Sequence, residues 1–168
     1  MAYGNWMVAA LLAGSPEALA DVTQFQRHAV EVEDSAGARQ VLRVSGTRYS
    51  IPGTPAQIVG KARSCVSRRD SGAGVVSVDL AGGRLVAVSR VEYRHGASTR
   101  IVKGRLLVEA GAGDFSVVLS NLGLLDDSAG DAVDEVFVPL RMDADAAWEP
   151  ALAAVIQVEQ ALLDCMFS

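Results

Sequence analysis

Four segments decide the fold: VVSVDL at 75–80, RLVAVSRVEYR at 84–94, TRIVKGRLLVE at 99–109 and FSVVLSNL at 115–122. Apolar and polar residues alternate along them with a period of two, the spacing that turns one face of a strand to a core and the other to water. Leu85 and Ala87 thereby share a face with Ser89, Val91 and Tyr93. The links are short and contain glycine: Ala81-Gly82-Gly83, Gly96-Ala97-Ser98 and Gly111-Ala112-Gly113-Asp114. Links of this length cannot cross a sheet to a parallel neighbour, so the four strands are predicted to form an antiparallel meander.

A helix is predicted before the meander. Thr54-Pro55-Ala56-Gln57 places a capping threonine, a proline at the first helical position and a glutamine three residues on, so that hydroxyl and amide satisfy otherwise unpaired backbone groups. Ile58, Ala62, Cys65 and Val66 follow as one apolar stripe, closed by Arg69. Lys61, Arg63, Arg68 and Arg69 gather toward its C-terminal half, where cations suit the helix dipole and read as a solvated face. A second helix is expected over Ala151–Phe167, with Pro150 in its first turn and Asp143 or Asp145 as cap. Its stripe runs through Ala151, Val155, Val158, Leu162, Cys165 and Met166.

Upstream, 28–33 and 40–45 read as a hairpin around the polar link 34–39, and 47–51 as a short strand ended by Pro52-Gly53. Residues 123–142 are acidic and glycine-containing, and their apolar run 136–140 fits either an edge strand or an extended loop. The fold expected is α+β: an antiparallel sheet, made of the four-strand meander plus N-terminal strands, with two helices packed on one face. The opposite face is then either polar or covered by the N-terminal hairpin.

At 168 residues the chain fits one ordinary domain, assigned to 21–168. Residues 1–20 are read apart from it as a signal peptide. Trp6–Ala13 form an apolar block, Gly14-Ser15-Pro16 break it, and Ala18-Leu19-Ala20 precede Asp21 as a cleavage site would. No Lys or Arg precedes the block and Glu17 stands close to the cleavage point, so a folded apolar N-terminal helix is the alternative. The net charge of −5 argues against a nucleic-acid partner, because neutralising phosphates takes a basic footprint. No apolar run reaches the length of a membrane span.

The inventory of chemistry is sparse. There is no phosphate-binding glycine loop, nucleophile elbow or metal-binding histidine pair. The two histidines, His28 and His95, fall at strand ends and read as ordinary surface residues. The acidic group Asp126, Asp127, Asp131, Asp134 and Glu135 lacks the ligand spacing of a calcium loop. No catalytic residue, no metal site and no cofactor is therefore expected. The two cysteines, Cys65 and Cys165, lie on the apolar stripes of two helices expected to cover one sheet face, which allows a disulfide closing about 100 residues of chain. Two buried thiols are the alternative, favoured if the protein stays in the cytosol.

Three stretches resemble a bacterial domain family of unknown function described as TATA-binding-protein-like. They are Tyr49-Ser50-Ile51-Pro52-Gly53-Thr54 with Lys61-Ala62-Arg63; Gly74-Val75-Val76 through Gly83-Arg84-Leu85-Val86-Ala87; and Arg105–Glu109 with Asp114-Phe115 and Leu119-Ser120-Asn121. The chain departs from the family in having Gly113-Asp114-Phe115-Ser116 where a Gly-Arg-aromatic-Arg run is frequent, and in its N-terminal hairpin. The resemblance implies a TATA-binding-protein-like fold and an exported envelope protein. It carries no activity and no catalytic residue, and the name describes shape, not DNA binding. The expected function is a non-enzymatic exported or periplasmic module that binds a protein or a small ligand. The alternatives are a cytosolic immunity-like or adaptor protein and, further off, a hydrolase using His95 or the acidic loop.

Overall fold

The computed structural model describes residues 20–35, 37–68, 72–126, 135–143 and 147–168. The segment read as a signal peptide lies outside the described residues, except for Ala20. Nine strands and two helices follow in the order β1 (Asp21–Phe25), β2 (His28–Ser35), β3 (Ala38–Ser45), β4 (Tyr49–Ser50), α1 (Pro55–Val66), β5 (Ala73–Asp79), β6 (Arg84–His95), β7 (Ser98–Ala110), β8 (Asp114–Leu125), β9 (Phe137–Pro139) and α2 (Trp148–Phe167). All strands join one antiparallel sheet of order β1-β2-β3-β8-β7-β6-β5, with β4 and β9 also paired to β8. The expected meander is β5 to β8, and both helices pack on the same face of it.

Alternation sets that face. Leu85, Ala87, Leu106, Val108, Phe115, Val117 and Leu119 point to the helices and are buried. Ile58, Val59 and Ala62 of α1, with Ala151, Leu152 and Val155 of α2, close the core from the other side. Each buried aliphatic side chain of this kind contributes about 1.5–3 kcal/mol. The capping box of α1 forms as its sequence requires: the Thr54 hydroxyl accepts from the Gln57 backbone N–H, and the Gln57 side chain accepts from the Thr54 N–H. Arg69 lies outside the described residues. Asp143 does not cap α2: the helix begins at Trp148 behind Ala147, whose φ is 49° and which makes no side-chain cap hydrogen bond. Asp145 lies outside the described residues.

The sheet forks at β8. β3 pairs with β8 over Arg43–Ser45 alone. In one direction β4 resumes the pairing at Phe115 and Asp114. In the other, Asn121 takes a left-handed conformation (φ 51°), the β7–β8 register shifts, and β3 leaves β8. The segment 137–142 fills the gap. β9 pairs with Gly123–Leu125, and Leu140 accepts from the Val41 N–H while its own N–H donates to Leu122. The run read as edge strand or loop is thus an inserted wedge. The N-terminal strands extend the sheet beyond β3 and do not cover its outer face. That face carries ion pairs instead, Arg84–Glu109 at 2.6 Å and Arg43–Glu31 at 2.7 Å among them.

A disulfide joins Cys65 to Cys165, 100 positions apart in sequence, with Cα atoms 5.8 Å apart. It links the last turns of α1 and α2 above the sheet. α2 is also the one described helix long and apolar enough to cross a membrane by composition, and half of that stretch is buried in this fold. Replacing both cysteines by alanine is expected to lower the unfolding free energy by about 3–5 kcal/mol, the entropy returned to an unfolded chain freed of a loop this long. Urea denaturation of the two proteins measures it, and an unchanged midpoint would contradict it.

Candidate functional site

α2 carries one acid on its apolar stripe. Glu159 follows Val155 by four residues and precedes Leu162 by three, so the packing that buries those neighbours buries its carboxylate as well, to 1% exposure. An unpaired carboxylate in such a place would cost several kcal/mol. Two side chains from the sheet meet it. His28, the first residue of β2, places Nε2 3.0 Å from Glu159 Oε2. Tyr49 of β4 donates its hydroxyl to Oε1, also at 3.0 Å. The remaining imidazole nitrogen, Nδ1, lies 2.9 Å from the Gln26 carbonyl oxygen. That oxygen can only accept, so Nδ1 carries a proton and the ring turns Nε2 to the carboxylate.

The backbone makes room for this contact at Gly46, between β3 and β4. A Cβ there would stand 2.6 Å from Glu159 Oε1 and 2.9 Å from the Tyr49 hydroxyl. Only glycine lets the chain pass so close to the carboxylate. Burial pushes the Glu159 carboxyl above the ordinary range, against the opposing pull of His28 and of the Tyr49 and His28 hydrogen bonds. The Tyr49 phenol is raised as well, first by burial and then by the Glu159 charge beside it.

A hollow of about 500 Å³ opens next to this cluster, between the β1–β2 turn, the β3–β4 junction and α2. His28, Gly46 and Tyr49 form its inner side; Ile156 and Leu163 of α2 form an apolar wall; Arg27, Thr47 and Gln160 stand exposed at its rim. The β1–β2 turn is unusual. Phe25 pairs with His28, leaving a two-residue link of Gln26 and Arg27 with φ of 47° and 69°. Hairpin links with both φ positive ordinarily use Asn-Gly, and a residue with a Cβ costs about 1–2 kcal/mol in this conformation. A second hollow, about 330 Å³ at the sheet fork, is lined by residues such as Leu42, Leu122 and Phe137 and has no titratable group among the described residues of its lining.

His28 is therefore not the surface residue expected: its side chain is 12% exposed and tied to α2. His95 is exposed, as expected. The two cysteines come together in the disulfide. Of the acidic group, Asp127, Asp131 and Asp134 lie outside the described residues, and Glu135 pairs with Arg90 at 2.6 Å. No set of three or more metal-ligating side chains is found among the described residues. Glu159 and Tyr49 escaped the reading of the sequence. The available signal was an acid at a buried position of a helical stripe, since such a residue must find a partner.

No family model matches the chain, and no curated protein matches it. Among solved structures the chain is similar to a TBP-like protein from Parabacteroides distasonis ATCC 8503, at 13% identity and a TM-score of 0.57, over 75% of this chain and 92% of that one. It is also similar to a DUF4468 family protein from Bacteroides ovatus ATCC 8483, at 13% identity and a TM-score of 0.54, over 82% of this chain and 91% of that one. The fold is TATA-binding-protein-like, in agreement with the resemblance read from the sequence.

Because the folded state raises the Glu159 pKa, it binds more protons than the unfolded chain between the ordinary carboxyl value of 4.5 and the raised one. The contribution of Glu159 is therefore fully present below 4.5 and is lost as pH rises through the raised value. Glu159→Gln removes the titration. The stability of the parent relative to this variant is expected to fall as pH rises through that window, and parallel urea curves below and above it measure the trend. A difference independent of pH, or rising with it, would contradict the assignment.

Proposed function

We propose that the protein is a non-enzymatic, exported binding module acting in the periplasm or outside the cell. The observation that supports this most is the state of His28. A catalytic base needs a nitrogen free to take a proton from a nucleophile or a water. Here one ring nitrogen is held by the Gln26 carbonyl and the other by a buried carboxylate, and Tyr49 occupies the second carboxylate oxygen. Among the described residues no serine hydroxyl or thiol reaches the ring. The cluster fixes the wall of a hollow, which is what a binding site requires of its surroundings.

Export is supported by the disulfide, since such bonds persist in oxidising compartments and are rare in the cytosol of mesophiles. It is also supported by the order of apolar block, breaker and Ala18-Leu19-Ala20. The test is intact mass under non-reducing conditions, on protein from the periplasmic fraction of the native host. A chain beginning at Asp21 without free thiols is expected, together with no turnover of ester or amide substrates. A full-length, reduced protein in the cytosol, or turnover abolished by His28→Ala, would contradict the reading.

A further inference from the structure

The hollow beside His28 has a definite chemical character. Its exposed rim carries Arg27, which makes no ion pair with the described residues. Among the described residues no Asp or Glu lines the hollow. The nearest buried acid, Glu159, has both oxygens engaged by His28 and Tyr49, and Asp164 at the exposed side of α2 accepts from Gln160 at 2.8 Å. Arg27 thus stands at the mouth of a cavity of about 500 Å³ with no counter-charge among the described residues. Thr47, exposed at the same rim, has its side chain hydrogen-bonded to Tyr49. Behind them Ile156 and Leu163, seven residues apart on α2, offer an apolar wall.

The turn adds an independent observation. Position 27 holds a left-handed backbone, where glycine is unstrained, yet an arginine is present. Local strain of this kind persists where the surrounding structure enforces it, and it gathers at ligand-binding sites. Arginine presents a flat fork of N–H donors that matches a carboxylate in two parallel hydrogen bonds.

We propose that this hollow binds a small aliphatic carboxylate, its charged end on Arg27 and its alkyl tail against Ile156 and Leu163. The assignment rests on the reading of the chain as a non-catalytic binding module and names the ligand class of that site. Apolar surface holds the tail in place and Arg27 selects the charge, so neither half of the ligand suffices.

The test is titration of the disulfide-bonded full chain with hexanoate, followed by amide NMR shifts of Arg27, His28, Thr47 and Leu163. Acetate supplies the charge without the tail, hexanol the tail without the charge, and hexylamine the tail with the opposite charge. Saturable shifts are expected with hexanoate, with acetate and hexanol weaker by at least about tenfold and hexylamine without effect. Arg27→Gly is expected to raise Tm by about 2–4 °C as the turn relaxes, while weakening hexanoate at least tenfold. A merely structural arginine would leave the second readout unmoved. Absence of hexanoate shifts, equal binding of hexanol, or unchanged affinity in Arg27→Gly would overturn the proposal. Any of these leaves export and the lack of turnover intact, whereas ester hydrolysis or a cytosolic location would overturn the parent reading without altering the hexanoate result.

Discussion

The carboxylate of Glu159 is the contact on which the N-terminal half of this fold depends. It reaches from the core stripe of α2 to β2 through His28 and to β4 through Tyr49, and it sets the path of the chain between them through Gly46. These contacts join elements more than 100 residues apart in sequence. Alone, a buried carboxylate would oppose folding. With both oxygens engaged, it fixes where the hairpin and the short strand sit relative to the helix, and breaking one partner leaves the others exposed to the full cost of burial.

The rest of the architecture follows from one-sided burial. The meander offers an apolar face to water, and two helices with apolar stripes cover it; the disulfide then locks their ends together. The outer face stays exposed and charged because nothing in the described chain is placed to cover it. Where β8 bends at Asn121, pairing with β3 cannot continue, and the backbone groups freed there are satisfied by the 137–142 segment. The short Val-Phe-Val run is long enough to fill that gap and too short to form an edge of its own.

The meander, both helices and the capping box were legible in the sequence because each is written in local periodicity or in a local motif. The cysteine pairing was legible too, from two stripes that had to share a face. Strand β1 was not, because its turn uses Gln26-Arg27 where asparagine and glycine would have announced a hairpin. The α2 boundary was misplaced for a similar reason: Ala147 adopts a conformation that its side chain does not advertise. The site was the least legible part. His28 sits at a strand end just after the polar pair Gln26-Arg27, and only the long-range return of α2 buries it. Glu159 alone gave a hint, as an acid spaced like a core residue.

Glu159 and His28 stabilise the fold as a pair. A double-mutant cycle of His28→Ala, Glu159→Gln and the combined variant, each measured by urea denaturation near neutral pH, tests it most directly. A coupling energy of about 0.5–3 kcal/mol is expected, the range for residues in direct contact. Additivity within about 0.5 kcal/mol, the behaviour of independent sites, would contradict it.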